Sequence, residues 1–118
     1  MNENQAEYIY KITTVEIWQK SLQLGILEGM PIDINDGYIH FSTKEQLAQT
    51  LSLHFKGHGE LVIFAVNTKN IAENLKWEVS RGGALFPHFY DKLKMNMVEF
   101  FRVLEVDDNG ETDLGWLK

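Results

Sequence analysis

Leu61-Val62-Ile63-Phe64-Ala65-Val66 is an unbroken apolar run. A strand with one wet face alternates apolar and polar residues, so a run apolar at every position requires a strand covered on both sides. It is the candidate central strand, and the rest of the chain must supply two covering layers.

Two units upstream are built to do so. Tyr8-Ile9-Tyr10-Lys11-Ile12 reads as a strand, and Thr13 with Glu16 three residues on forms a capping-box signature. Val15, Trp18 and Leu22 then recur at helical spacing, and Gly25 offers a left-handed stop, which predicts a helix over residues 14–24. The device repeats at Gly37-Tyr38-Ile39-His40-Phe41-Ser42-Thr43. Here Ser42 and Glu45 supply the box, Leu47 and Leu51 the helical face, and Gly57 the stop.

Between the units, residues 25–36 carry Gly29, Pro31 and Asn35 and read as a connecting loop. Residues 71–75 fit one or two helical turns. Residues 77–90 are the least periodic segment, and their aromatics favour a packed, ordered loop. Residues 97–106 are strand-like, Asp108-Asn109-Gly110 is a turn signal, and the tail with Trp116 reads as a short edge strand or a segment docked on the core. Residues 1–7 are polar and read as frayed. The order predicts an α+β fold: one domain over residues 1–118 with a mixed, split, twisted sheet and two main helices.

Function is constrained first by charge. A net charge of −6 at pH 7 and scattered basic residues argue against a broad nucleic-acid surface, although a local cluster around one phosphate is compatible with them. The absence of cysteine excludes thiol catalysis and cysteine-ligated metals and fits a reducing cytoplasm. No stretch approaches the roughly 20 apolar residues of a membrane span, and no basic leader precedes an apolar run. The expectation is a cytoplasmic protein with no membrane partner.

The chemistry centres on His40. Alternation sends Ile39 and Phe41 to one face, the core, and Tyr38, His40 and Ser42 to the other. The helix start at Ser42 and Thr43 offers backbone N–H groups and a dipole that hold anions such as phosphate. Glu78, Ser80, Arg81, His88 and Tyr90 cluster in the aperiodic segment. Arg81 suits a phosphate or carboxylate, with Gly82-Gly83 letting a ligand approach the backbone. The competing structural reading is a Glu78–Arg81 ion pair that pins the loop. His54 and His58 are four apart, but Gly57 interrupts the helix and a third ligand such as His40 or His88 would be needed, so no metal is expected. The serine elbow, the phosphate loop and the Gly-x-Gly-x-x-Gly turn are missing.

Ile9-Tyr10-Lys11-Ile12, Asp36-Gly37-Tyr38-Ile39-His40-Phe41-Ser42-Thr43 and Trp77-Glu78-Val79-Ser80-Arg81-Gly82-Gly83-Ala84-Leu85-Phe86-Pro87-His88-Phe89-Tyr90 together resemble the domain of unknown function 952 family over residues 8–103. More distantly, the strand, threonine, helix and Ile39-His40-Phe41-Ser42 resemble the amino-terminal half of the ADP-ribosyltransferase superfamily, in particular its RNA 2′-phosphotransferase branch. That resemblance implies NAD as substrate in the cleft of a split sheet. His40 would meet its nicotinamide end, and Lys11 would approach a ribose or phosphate where a histidine is usual. A late glutamate, Glu78 or Glu99, would steady an oxocarbenium ion. Arg81 and a helix start would hold the pyrophosphate, and His40 and Tyr90 the base. The alternative is a non-catalytic module that binds a small ligand or a protein; processing of RNA 2′-phosphate has less support because of the acidic balance. A single site requires His40, Arg81 and His88 to converge.

Overall fold

Residues 6–118 are described by the computed structural model, in which the apolar run at 61–66 does become the middle of a sheet. In chain order the elements are β1 (Tyr8–Thr14), α1 (Val15–Leu24), β2 (Ile26–Leu27), α2 (Pro31–Asp36), β3 (Ile39–His40), α3 (Lys44–His54), β4 (Gly59–Asn67), β5 (Leu75–Val79), β6 (Leu85–Phe89), β7 (Leu93–Lys94) and β8 (Val98–Val106). The run is fully buried from Leu61 to Val66. Its even positions Val62, Phe64 and Val66 pack with Ile9, Trp18 and Phe41, and its odd positions Leu61, Ile63 and Ala65 with Tyr10, Leu47 and Leu51. Alternation along one strand thus creates two cores, with α1 on one side and α3 on the other.

The fold is α+β and the sheet is split. One sheet has the order β1-β4-β8, a second β3-β6-β5, and β2 pairs with β7; every pairing is antiparallel, where a mixed sheet was expected. The two larger sheets meet where Tyr10 and Ser42 exchange backbone hydrogen bonds, both 2.8 Å.

Both capping boxes shift by one residue because strand pairing takes the expected cap: the junction takes Ser42, and the β1–β4 ladder takes Thr13. Ser42 has its backbone committed to Tyr10, so Thr43 becomes the N-cap of α3, and its N–H donates to Gln46 Oε1 at 3.0 Å. In the first unit β1 continues to Thr14, opposite Leu61, and the Thr14 hydroxyl accepts from Ile17 N–H at 3.1 Å. Thr13 instead turns inward, and its hydroxyl is buried without a partner among the described residues.

Two segments are more ordered than their periodicity implies. Residues 25–36 contain α2, with Pro31 at its first turn and Gly37 closing it at φ +86°. Residues 77–90 form most of a β5–β6 hairpin whose turn places Gly82 and Gly83 at positive φ. The tail docks: Leu117 is buried, Trp116 meets Phe100 edge-on, and the Tyr10 hydroxyl donates to the Lys118 carbonyl at 2.8 Å. Of the residues expected to fray, 1–5 lie outside the described residues, whereas Ala6 and Glu7 accept hydrogen bonds from Thr68. Among the described residues no helix is long and apolar enough to cross a membrane.

Candidate functional site

The split leaves a cleft of about 410 Å³ whose walls come from both sheets: Lys11 and Ile12 from β1, His40 from β3, Phe86 and His88 from β6. Helix α3 and the hairpin turn close it with Thr50 and Arg81.

Its foundation is Asp33, which lies outside the expected site residues. The first turn of α2 brings the Asp33 carboxylate back under its own N-terminus, where Met30 N–H donates to Oδ2 at 2.6 Å. Gly29 leaves room for this: a Cβ there would sit 2.6 Å from Asp33 Cβ, and its φ of +119° suits glycine alone. Lys11 Nζ donates to both carboxylate oxygens, at 3.0 and 2.8 Å, and to the His40 carbonyl at 3.0 Å. His40 then donates twice to Oδ1, from its backbone N–H at 3.0 Å and from Nδ1 at 2.6 Å. The carboxylate side chain is entirely shielded from solvent. Burial alone would raise its pKa, but His40 and Lys11 together hold it below the ordinary carboxylate value. Burial pushes the Lys11 ammonium below the ordinary lysine value, with Asp33 opposing. Lys11 therefore acts inside the wall, holding Asp33 and the β3 backbone, rather than reaching toward a ribose or phosphate.

Asp33 fixes His40 with Nδ1 inward, so Nε2 is the nitrogen facing the cleft, 3.0 Å from Asp36 Oδ2 at the end of α2. His88 stands directly opposite on β6, ring centroids 5.4 Å apart. It has its own carboxylate: Nδ1 lies 2.8 Å from Glu78 Oε1, which also accepts from the Tyr90 hydroxyl at 2.6 Å. Burial pushes His88 below the ordinary histidine value, and Glu78 only partly opposes it. The Tyr90 and His88 hydrogen bonds hold Glu78 low, and the shared contact pushes the Tyr90 phenol up to about 12. Tyr38 lies across both imidazoles, 4.5 Å from His40 and 4.2 Å from His88, and 5.1 Å from Tyr90.

Arg81 is the other pole. Its Nη2 donates to Thr50 Oγ1 at 3.1 Å, its guanidinium lies 4.9 Å over Phe86, and its buried Nε has no partner among the described residues. The alternative Glu78–Arg81 ion pair does not form, because Glu78 is engaged by His88 and Tyr90. Among the described residues no carboxylate pairs with Arg81.

His40, Arg81 and His88 thus line one cleft, together with Ser42, whose hydroxyl lies 3.4 Å from Thr50. Glu78 and Tyr90 are not in the cleft lining; they stand behind His88 and beside Tyr38. Nor is Thr43: it is buried, and its N–H is committed to Gln46. Glu99 lies in a separate depression with Trp18 and Phe101. His54 and His58 are exposed, and among the described residues no three His, Asp or Glu side chains gather as a metal cage.

A split-sheet α+β domain with a cleft lined by two carboxylate-anchored histidines and an arginine that has no carboxylate partner among the described residues is the class that fold and site define. The chain belongs to the family described as Protein of unknown function (DUF952), which matches residues 12–101. It is similar to protein CC0527 from Caulobacter crescentus, whose crystal structure is 41% identical over 92% of this chain and 95% of that one, with a TM-score of 0.86. The solution NMR structure of the same protein, covered over 93% of its length, gives a TM-score of 0.80. No curated protein matches the chain. The similarity to ADP-ribosyltransferases has no counterpart among these matches.

Proposed function

We propose that the cleft binds NAD or a related nucleotide and transfers ADP-ribose from it. The observation that carries this reading is Arg81, a guanidinium with no carboxylate partner among the described residues, in the same cleft as the Tyr38 ring and the Asp33-anchored His40. A phosphate on Arg81 gains charge-assisted hydrogen bonds that the protein leaves open. A planar base gains an aromatic face at Tyr38. Glu78, held ionised by Tyr90 and His88, then steadies positive charge as the glycosidic bond loosens. His40 Nε2 orients the nicotinamide end.

One observation favours a second reading, a non-catalytic binding module. Lys11 stands where the superfamily resemblance calls for a histidine, and its ammonium is occupied by Asp33 and the His40 carbonyl. RNA 2′-phosphate processing has less support, since Arg81 is the one cleft cation without a carboxylate among the described residues.

Calorimetric titration with NAD and ADP-ribose, followed by assay of nicotinamide release, separates the readings. The transferase reading expects NAD to bind the wild-type chain and release nicotinamide, with release falling on the order of a hundredfold in Glu78→Gln while binding persists. NAD that binds without release leaves the binding module. Absence of binding at millimolar NAD overturns the nucleotide reading and leaves a module that binds another small ligand or a protein.

A further inference from the structure

Charge is distributed unevenly along the cleft. Lys11 and Asp33 neutralise each other inside the wall. At one end Arg81 lies over Phe86 with no carboxylate partner among the described residues. Two residues along β6, on the same face, His88 sits opposite His40, and a strand rise of roughly 3.3 Å per residue separates these two positions by about 7 Å. This second end holds the Tyr38 ring, with Asp36 on His40 Nε2 at one flank and Glu78 on His88 and Tyr90 at the other. One cation of the protein is already drawn there: Lys76 Nζ lies 4.9 Å over the Tyr90 ring. Lys76 offsets one of the two carboxylates, Asp36 and Glu78, so the fixed charges at this end sum to one negative. The Arg81 end carries a positive charge with no carboxylate partner among the described residues.

An aromatic face beside carboxylates attracts a cation, through the ring quadrupole and through direct Coulomb attraction. Asp36 is the carboxylate best placed for it, being half-exposed at the end of α2 and already directed into the cleft through His40. We infer that the cleft selects a ligand with opposite charges at its two ends, one phosphate at Arg81 and a positively charged planar ring at Tyr38, and that Asp36 determines the preference. The inference rests on the nucleotide reading above and narrows it to N-glycosylated pyridinium nucleotides, in which ring and phosphate are joined through one ribose.

Nicotinamide mononucleotide and its 1,4-dihydro form differ in the ring charge, and titration calorimetry of the full chain with both reads that charge directly. The oxidised form binds on the order of tenfold tighter to the wild type. In Asp36→Asn, nearly isosteric at a solvent-accessible position, the ratio falls to about twofold, mainly through weaker binding of the oxidised form. A thermal melt confirms that the variant is folded. Equal affinities in the wild type, or an unchanged ratio in Asp36→Asn, overturn the inference and leave the nucleotide reading standing. Failure of both mononucleotides and of NAD to bind removes the nucleotide reading and this inference together.

Discussion

Asp33→Ala lowers the free energy of unfolding by about 3–5 kcal/mol, a large share of the total for a domain of this size. The side chain removed is fully shielded and accepts from Lys11, from His40 Nδ1, and from the backbone N–H groups of Met30 and His40. Without it the Lys11 ammonium is buried beside a lone carbonyl. Replacing Lys11 as well, in Lys11→Met/Asp33→Ala, recovers part of the loss because no unpaired charge remains. Recovery is incomplete, since two backbone N–H groups still lack their acceptor. Urea unfolding of both variants measures the difference. Acid has the same effect on the intact protein. Asp33 has a folded pKa below its unfolded value of about 3.8, so its contribution is complete above that value and is lost as pH falls through the folded pKa. The unfolding midpoint therefore drops steeply in that acid range, and less so in Asp33→Ala.

Arg81→Ala has the complementary signature. Under the proposed nucleotide reading it reduces NAD affinity by roughly ten- to a hundredfold, the value of one or two hydrogen bonds to a charged group. Stability changes by no more than about 1 kcal/mol, because among the described residues the side chain makes one hydrogen bond, to Thr50, and leaves its Nε unpartnered. Arg81→Lys restores little of the binding, since an ammonium lacks the planar fork. Calorimetry and thermal melts on the same samples separate the two effects. Tight NAD binding by Arg81→Ala would remove the phosphate role.

The central architecture was legible because it rests on periodicity. The run at 61–66 could only be covered on both faces, and the alternation around His40 put Ile39 and Phe41 in the core and Tyr38 and His40 in the cleft. His40, Arg81 and His88 were legible as chemistry, and their convergence follows from His40 and His88 being opposite one another across β3 and β6. Asp33 was not legible. Its helix is six residues long, and Ile32 and Ile34 beside it are 59% and 64% exposed, so the apolar pattern pointed away from a buried position. The available signal was Gly29 and Pro31 ahead of an acidic residue, a helix start with its own carboxylate cap. The hairpin at 75–89 was hidden because β6 is buried almost throughout and contains Pro87, so neither alternation nor propensity marked it as a strand. Both caps were displaced by one residue through tertiary pairing, the first by the extension of β1 along β4 to Thr14 and the second by the Tyr10–Ser42 exchange.

The nucleotide site is proposed to lie in the cleft between the two sheets, and backbone amide NMR during an NAD titration tests that placement most directly. Saturable shifts concentrated at residues 38–42, 50–55 and 80–88 are the predicted result. Saturable shifts centred instead on Glu99 and Phe101, or none at millimolar NAD, would contradict it.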